Sequence, residues 1–117
     1  VDFVEFAPAA INTILKNIAL LGCSESCHLW RKKVDAYLKT CNTKYDIIFL
    51  DPPYEKNLIN PTLKCIYEKS LLNEDGIIIA EHSPREIIAE DFSPYITQEK
   101  GFKRTHFTWL RAMMKEE

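Results

Sequence analysis

Residues 45–50, Tyr-Asp-Ile-Ile-Phe-Leu, make a nearly continuous apolar run that stops abruptly at Asp51-Pro52-Pro53. A short run of this kind, rich in β-branched and aromatic residues, is the pattern of a strand buried on both faces, as in a parallel sheet. Parallel neighbours require a crossover long enough to hold a helix, and the flanking sequence supplies such crossovers. Val1 to Phe6 alternates apolar and polar residues as a strand arriving at Glu5 does. Pro8 suits a first helical turn. Ile11, Ile14, Leu15, Ile18 and Leu21 then recur at helical spacing until Gly22 stops the run as a C-terminal cap.

Further on, a short strand is expected over Cys27 to Arg31 and a brief helix from Asp35 through Leu38. After the 45–50 strand, Asn60-Pro61 is a good helix start, with Leu63, Ile66, Tyr67 and Leu71 as its apolar stripe. Asn73-Glu74-Asp75-Gly76 predicts a turn into a second buried strand, Ile77–Glu81. Tyr95–Lys100 and Thr105–Arg111, flanking Gly101, predict an antiparallel hairpin. Strand and helix in alternation, closed by a hairpin, is the order of an open α/β sheet, mostly parallel. In such sheets ligands bind beyond the carboxyl ends of the strands, where Glu5 and Asp51 both fall.

At 117 residues, 46% hydrophobic and with only 3 Gly, the chain is sized for a single domain over 1–117 and is unlike a disordered or low-complexity segment. No apolar run reaches the roughly 18 residues of a membrane span, and the N-terminus lacks the basic-then-apolar pattern of a signal peptide. A soluble protein of the cytoplasm, with no membrane partner, is expected. Cys23, Cys27, Cys41 and Cys65 form no C-x-x-C pair and no zinc-type spacing with His28, His82 or His106, so ordinary reduced thiols and no metal are expected. Net charge is −2, which announces no nucleic-acid binder. Between His28 and Lys44, however, Arg31, Lys32, Lys33, Lys39 and Lys44 stand against the single acid Asp35, either a solvated face or a phosphate-facing patch.

Asp51-Pro52-Pro53-Tyr54 carries the chemistry. An acid at the tip of a buried strand is followed by two residues with fixed φ and no N–H, whose carbonyls remain free to accept. The same four residues would also serve as a plain strand-ending turn. As an acceptor array, they suit an exocyclic amine, with one N–H placed on the Asp51 carboxylate and the other on the Pro52 carbonyl. Both protons held this way pull the nitrogen out of conjugation and expose its lone pair. Tyr54 offers a face on which a planar base can stack, worth about 1–3 kcal/mol.

Residues 45–54 resemble the hallmark of S-adenosylmethionine-dependent methyltransferases acting on exocyclic amines of adenine or guanine. With the strand ending Val4-Glu5, the helix ending Asn17–Gly22, the Asp35–Leu38 segment, Ile79–Glu81 and the final hairpin, essentially the whole chain is similar to bacterial small-subunit ribosomal RNA guanine-N2 methyltransferases of the RsmD type. The resemblance implies a Rossmann-like sheet and S-adenosylmethionine as cofactor. It implies Glu5, with Phe6 beside it, on the cofactor ribose and Asp35-Ala36 at its adenine, although Asp35 also fits a helix N-cap. Asp51, Pro52, Pro53 and Tyr54 would hold the target amine, and ribosomal RNA or a small-subunit assembly intermediate would be the partner. Adenine N6 satisfies the same acceptor array, and a non-catalytic α/β fragment binding RNA or protein is the reading from another class.

The chain departs from this family in one respect. Gly22, Gly76 and Gly101 are accounted for by a cap, a turn and a hairpin, and no G-x-G loop is present, so the sequence resembles the C-terminal portion of such an enzyme, its first strand missing. In the family's sheet that strand lies between the strand ending at Glu5 and the 45–50 strand. These two are therefore expected either to pair directly or to be completed by an N-terminal segment or a second copy in a homo-oligomer.

Overall fold

The computed structural model describes residues 1–53 and 56–114. They form two compact units, one over residues 1–41 and the other from residue 42 onward.

In the first unit, β1 (Asp2–Val4) and β2 (His28–Trp30) pair in parallel, with Asp2 opposite His28 and Val4 opposite Trp30. The connection carries α1 (Pro8–Leu21), begun by Pro8 and ended by Gly22 in the left-handed conformation at φ 64°. The Gly22 and Cys23 amides return to the Ala19 and Ile18 carbonyls, as the helical spacing and the glycine predict. β1 is shorter than the expected Val1–Phe6 strand, so Glu5 and Phe6 lie just past its end. A seven-residue α2 (Val34–Thr40) follows β2 and buries Tyr37 and Leu38.

The second unit is a four-stranded mixed sheet in the order β3-β4-β6-β5, with β3 (Tyr45–Leu50) parallel to β4 (Leu72–His82) and β4, β6 (His106–Arg111) and β5 (Ile96–Gly101) antiparallel in turn. Between β3 and β4 lies α3 (Ile59–Glu68), whose Ile59, Leu63 and Ile66 are fully buried, as are Ile78, Ala80, Thr108 and Leu110 of the sheet. The Phe102 amide bonds to the Thr105 carbonyl and closes the β5–β6 hairpin.

Four expectations are corrected. Strand β3 is not buried on both faces: Ile47 and Phe49 are 64% and 56% exposed. It is the outer strand of its sheet, and α3 is the one α-helix among the described residues of this unit. Asn73–Gly76 is not a free turn but lies within β4, where Tyr45 pairs with Leu72 and Ile47 already pairs with Ile77, an irregularity of the bulge kind. There Gly76 is required by close approach, since a Cβ would come within 2.7 Å of Leu72 Cδ1 and 2.9 Å of the Asn73 carbonyl. Asn60 does not cap α3, which begins one residue earlier; its side chain is used elsewhere. Direct pairing of the strand ending near Glu5 with the 45–50 strand does not occur, because β1 and β3 belong to separate sheets.

Candidate active site

Glu5 follows β1 immediately, its amide held by the Trp30 carbonyl at 3.1 Å. Its carboxylate is fixed in turn, since Oε2 accepts from the amides of Phe6 (2.8 Å) and Ala7 (3.1 Å) at the entry to α1. Oε2 takes both of these donors. Phe6 is exposed, and Lys33 Nζ stands 5.5 Å from its ring centroid. That contact joins the loop after β1 to the residue that precedes α2; Glu5 and Phe6 follow the end of β1, and Asp35 and Ala36 lie in the first turn of α2, after β2. Asp35 is not the N-cap of α2, a position Lys33 fills; its Oδ1 accepts from the Ala36 amide at 2.9 Å. On β1 and β2, His28 stacks on Trp30 with centroids 4.2 Å apart, and Trp30 Nε1 donates to Asp2 Oδ1.

The second unit holds the other group. Asp51 leaves β3 at the carboxyl end of the β3–β4 pair, where Leu50 stands opposite Ala80. Asp51 and Pro53 are exposed and Pro52 half-buried, so this segment lies at the surface past the end of β3 rather than in the core. Tyr54 lies outside the described residues.

Two residues near this edge escaped sequence reasoning. His82, the last residue of β4, is buried, with Nε2 2.9 Å from Thr108 Oγ1, Nδ1 3.1 Å from the Ser83 carbonyl and its ring 5.2 Å from that of His106. It borders a cavity of about 250 Å³ together with Glu86, Ile88, Glu99 and His106. Asn60, from the first turn of α3, donates through Nδ2 to the Ile87 carbonyl (2.9 Å) and accepts through Oδ1 from the Ala89 amide (2.8 Å). It thereby clamps the segment that forms one wall of the cavity. A histidine in an apolar strand carries no signal of a partner in a distant strand, and an asparagine beside a proline signals a cap before it signals a clamp. Among the described residues no cluster of three or more His, Cys, Asp or Glu side chains is placed to hold a metal ion, and no helix is long and apolar enough to cross a membrane.

Comparison with known proteins gives this geometry its context. Bacillus subtilis YlbH is 34% identical over 83 residues, 68% of this chain and 45% of that protein. Ribosomal RNA small subunit methyltransferase D of Buchnera aphidicola is 28% identical over 96 residues, 80% of this chain and 49% of that protein. The chain spans about half the length of the curated relatives it matches. Among solved structures, a conserved hypothetical protein of Streptococcus pyogenes superposes with a TM-score of 0.87 at 23% identity, over 96% of this chain and 71% of that one. An SAH-bound methyltransferase of Podospora anserina does so with a TM-score of 0.61 at 25% identity, over 68% of this chain and 33% of that one. The fold is thus the Rossmann-like methyltransferase α/β fold, of which these residues form part. The family model described as conserved hypothetical protein 95 matches residues 1–111, and the chain belongs to that family, the RsmD type.

Proposed function

We propose that the protein transfers a methyl group from S-adenosylmethionine to the exocyclic N2 of a guanine in small-subunit ribosomal RNA, working in the cytoplasm. The observation that carries this reading is an Asp-Pro-Pro acceptor array standing immediately past the carboxyl end of β3, in a chain whose relatives include ribosomal RNA small subunit methyltransferase D. The cofactor, when bound, supplies an electrophilic methyl on a sulfonium. Glu5 fits it: a carboxylate at a strand end, pinned by two backbone amides, presents its second oxygen to a ribose hydroxyl without losing further side-chain entropy. Phe6 packs beside the cofactor, and Asp35-Ala36 contacts the adenine.

Asp51 and the Pro52 carbonyl accept the two N–H groups of the target amine, and Tyr54 stacks the base. Both prolines fix the carbonyl directions in advance, so the acceptors pay little reorganisation at the moment of transfer. The reaction is then a direct displacement governed by positioning, with no covalent enzyme intermediate.

The test uses protein expressed from its complete reading frame, labelled S-adenosylmethionine and unmodified small-subunit RNA. Label recovered as N2-methylguanosine supports the reading. Label on adenine N6 overturns the base assignment, and a folded protein that neither binds the cofactor nor labels RNA overturns the enzymatic reading.

A further inference from the structure

Cys23 and Cys27 stand at the two ends of one tight turn. Cys23 leaves the Gly22 cap of α1, a single 3₁₀ turn over Ser24–Ser26 follows, and Cys27 leads into β2. The turn is held by its own backbone, the Ser26 amide on the Cys23 carbonyl at 3.0 Å and the Cys27 amide on the Ser24 carbonyl at 3.4 Å. The sulfurs meet: Cys27 Sγ donates its hydrogen to Cys23 Sγ at 3.7 Å, and Cys23 Sγ donates to the Ile18 carbonyl at 3.8 Å. Both side chains are half-buried, within reach of a small solute, whereas Cys41 is buried.

We propose that Cys23 and Cys27 form a dithiol site that a hydroperoxide oxidises to an intramolecular disulfide, with Cys23 as the attacking sulfur and Cys27 as the resolving one. The roles follow from the hydrogen bond. The Cys27 S–H is directed at Cys23 Sγ, so the second thiol already stands beside the sulfur that reacts and is placed to resolve it. Burial, followed by the hydrogen bond to Cys23, raises the Cys27 thiol above its ordinary value, which makes Cys27 the poorer first nucleophile.

The Cys23 thiolate attacks the peroxide, the O–O bond breaks, and Cys23 becomes a sulfenic acid as an alcohol or water departs. Cys27 then attacks the sulfenic sulfur and expels water. Two S–H bonds are replaced by one S–S bond, and the peroxide is reduced by two electrons. The sulfurs have only to close from 3.7 Å to the roughly 2.05 Å of a disulfide. This site owes nothing to Glu5 or Asp51 and stands whether or not the methyltransferase reading does.

The test treats the reduced, folded protein with hydrogen peroxide, alkylates it and digests it with trypsin. Cleavage after Lys16 and Arg31 releases one peptide holding both Cys23 and Cys27 and neither Cys41 nor Cys65. The expected result is loss of two hydrogens from that peptide and its recovery on reduction. In Cys27→Ser, dimedone should label Cys23; in Cys23→Ser, Cys27 should remain a thiol under the same exposure. A peptide that keeps both thiols, a bond to Cys41, Cys65 or a second chain, or equal dimedone labelling in the two variants overturns the proposal.

Discussion

Asp51 is the one charged residue of Asp51-Pro52-Pro53, and in its proposed role substitution separates shape from charge. Asp51→Asn retains the side-chain volume but turns an NH₂ toward the substrate amine, so a folded variant should lose roughly a hundredfold or more in methyl transfer, the scale of removing one preorganised polar partner. Single-turnover rates with unchanged cofactor affinity are the measurement; near-normal turnover would take Asp51 out of its proposed role. Tyr67 makes a pH prediction. Its hydroxyl donates to the Arg111 carbonyl at 2.8 Å, its ring stacks on Tyr95, and burial, helped by Tyr95, holds the phenol above its ordinary value. An acid raised in the folded state stabilises the fold below its unfolded value and ceases to do so above it. Stability should therefore fall as pH rises past about 10, where the unfolded chain releases the proton and the folded one retains it. Tyr67→Phe should flatten that alkaline loss in urea melts while costing about 0.5–1.5 kcal/mol at neutral pH for the missing hydrogen bond.

Elements were legible in the sequence where their determinants are local. Helix α1 is fixed by Pro8, by apolar residues every third or fourth position and by Gly22, all within one stretch of chain; the Asp51-Pro52-Pro53 segment is likewise contiguous, and its role is the one proposed above. Strand β4 was misjudged because Asn73–Gly76 has turn composition, whereas the chain carries it as an irregular stretch inside the strand, between the Leu72 and Ile77 pairings with β3, with the Asn73 side chain donating to Asp46 Oδ1. Asn60 was misjudged for the same reason, since both ends of its amide are taken by backbone 27 and 29 residues away. The Cys23 and Cys27 spacing was visible, but nothing in a four-residue separation says that the sulfurs meet. The Asn60 clamp predicts how the cavity wall is held. Asn60→Ala removes two hydrogen bonds and leaves the Ile87 carbonyl and Ala89 amide to find other partners, which should cost about 1–3 kcal/mol. Faster amide exchange should be confined to the segment around Ala89. Unchanged exchange there, with global stability intact, would show that the segment is held by something else.

The four-stranded sheet leaves a substantial apolar surface in water. Its outer strand β3 presents Ile47 and Phe49, 64% and 56% exposed. In register beside them stand Ile77, itself exposed, and Ile79, with Trp109 beyond on β6. Contiguous apolar surface on a soluble domain marks a place where something packs, and an outer strand adds unpaired backbone groups that recruit further strands. Net charge offers little opposition, since −2 over 117 residues generates weak mutual repulsion. The 117-residue chain in isolation should therefore associate as its concentration rises, the sheet face and the β3 edge being the surfaces consumed. Sedimentation across a concentration series measures this directly, with apparent mass rising and the melting temperature following concentration by mass action. Ile47→Lys combined with Phe49→Lys places two charges on the open face of the outer strand, where neither side chain is needed for the α3-covered core. The double variant should keep its far-ultraviolet spectrum and shift toward monomer. A wild-type chain that stays monomeric and melts without concentration dependence would show that this face is stable in water alone, and equal association of the double variant would move the interface elsewhere.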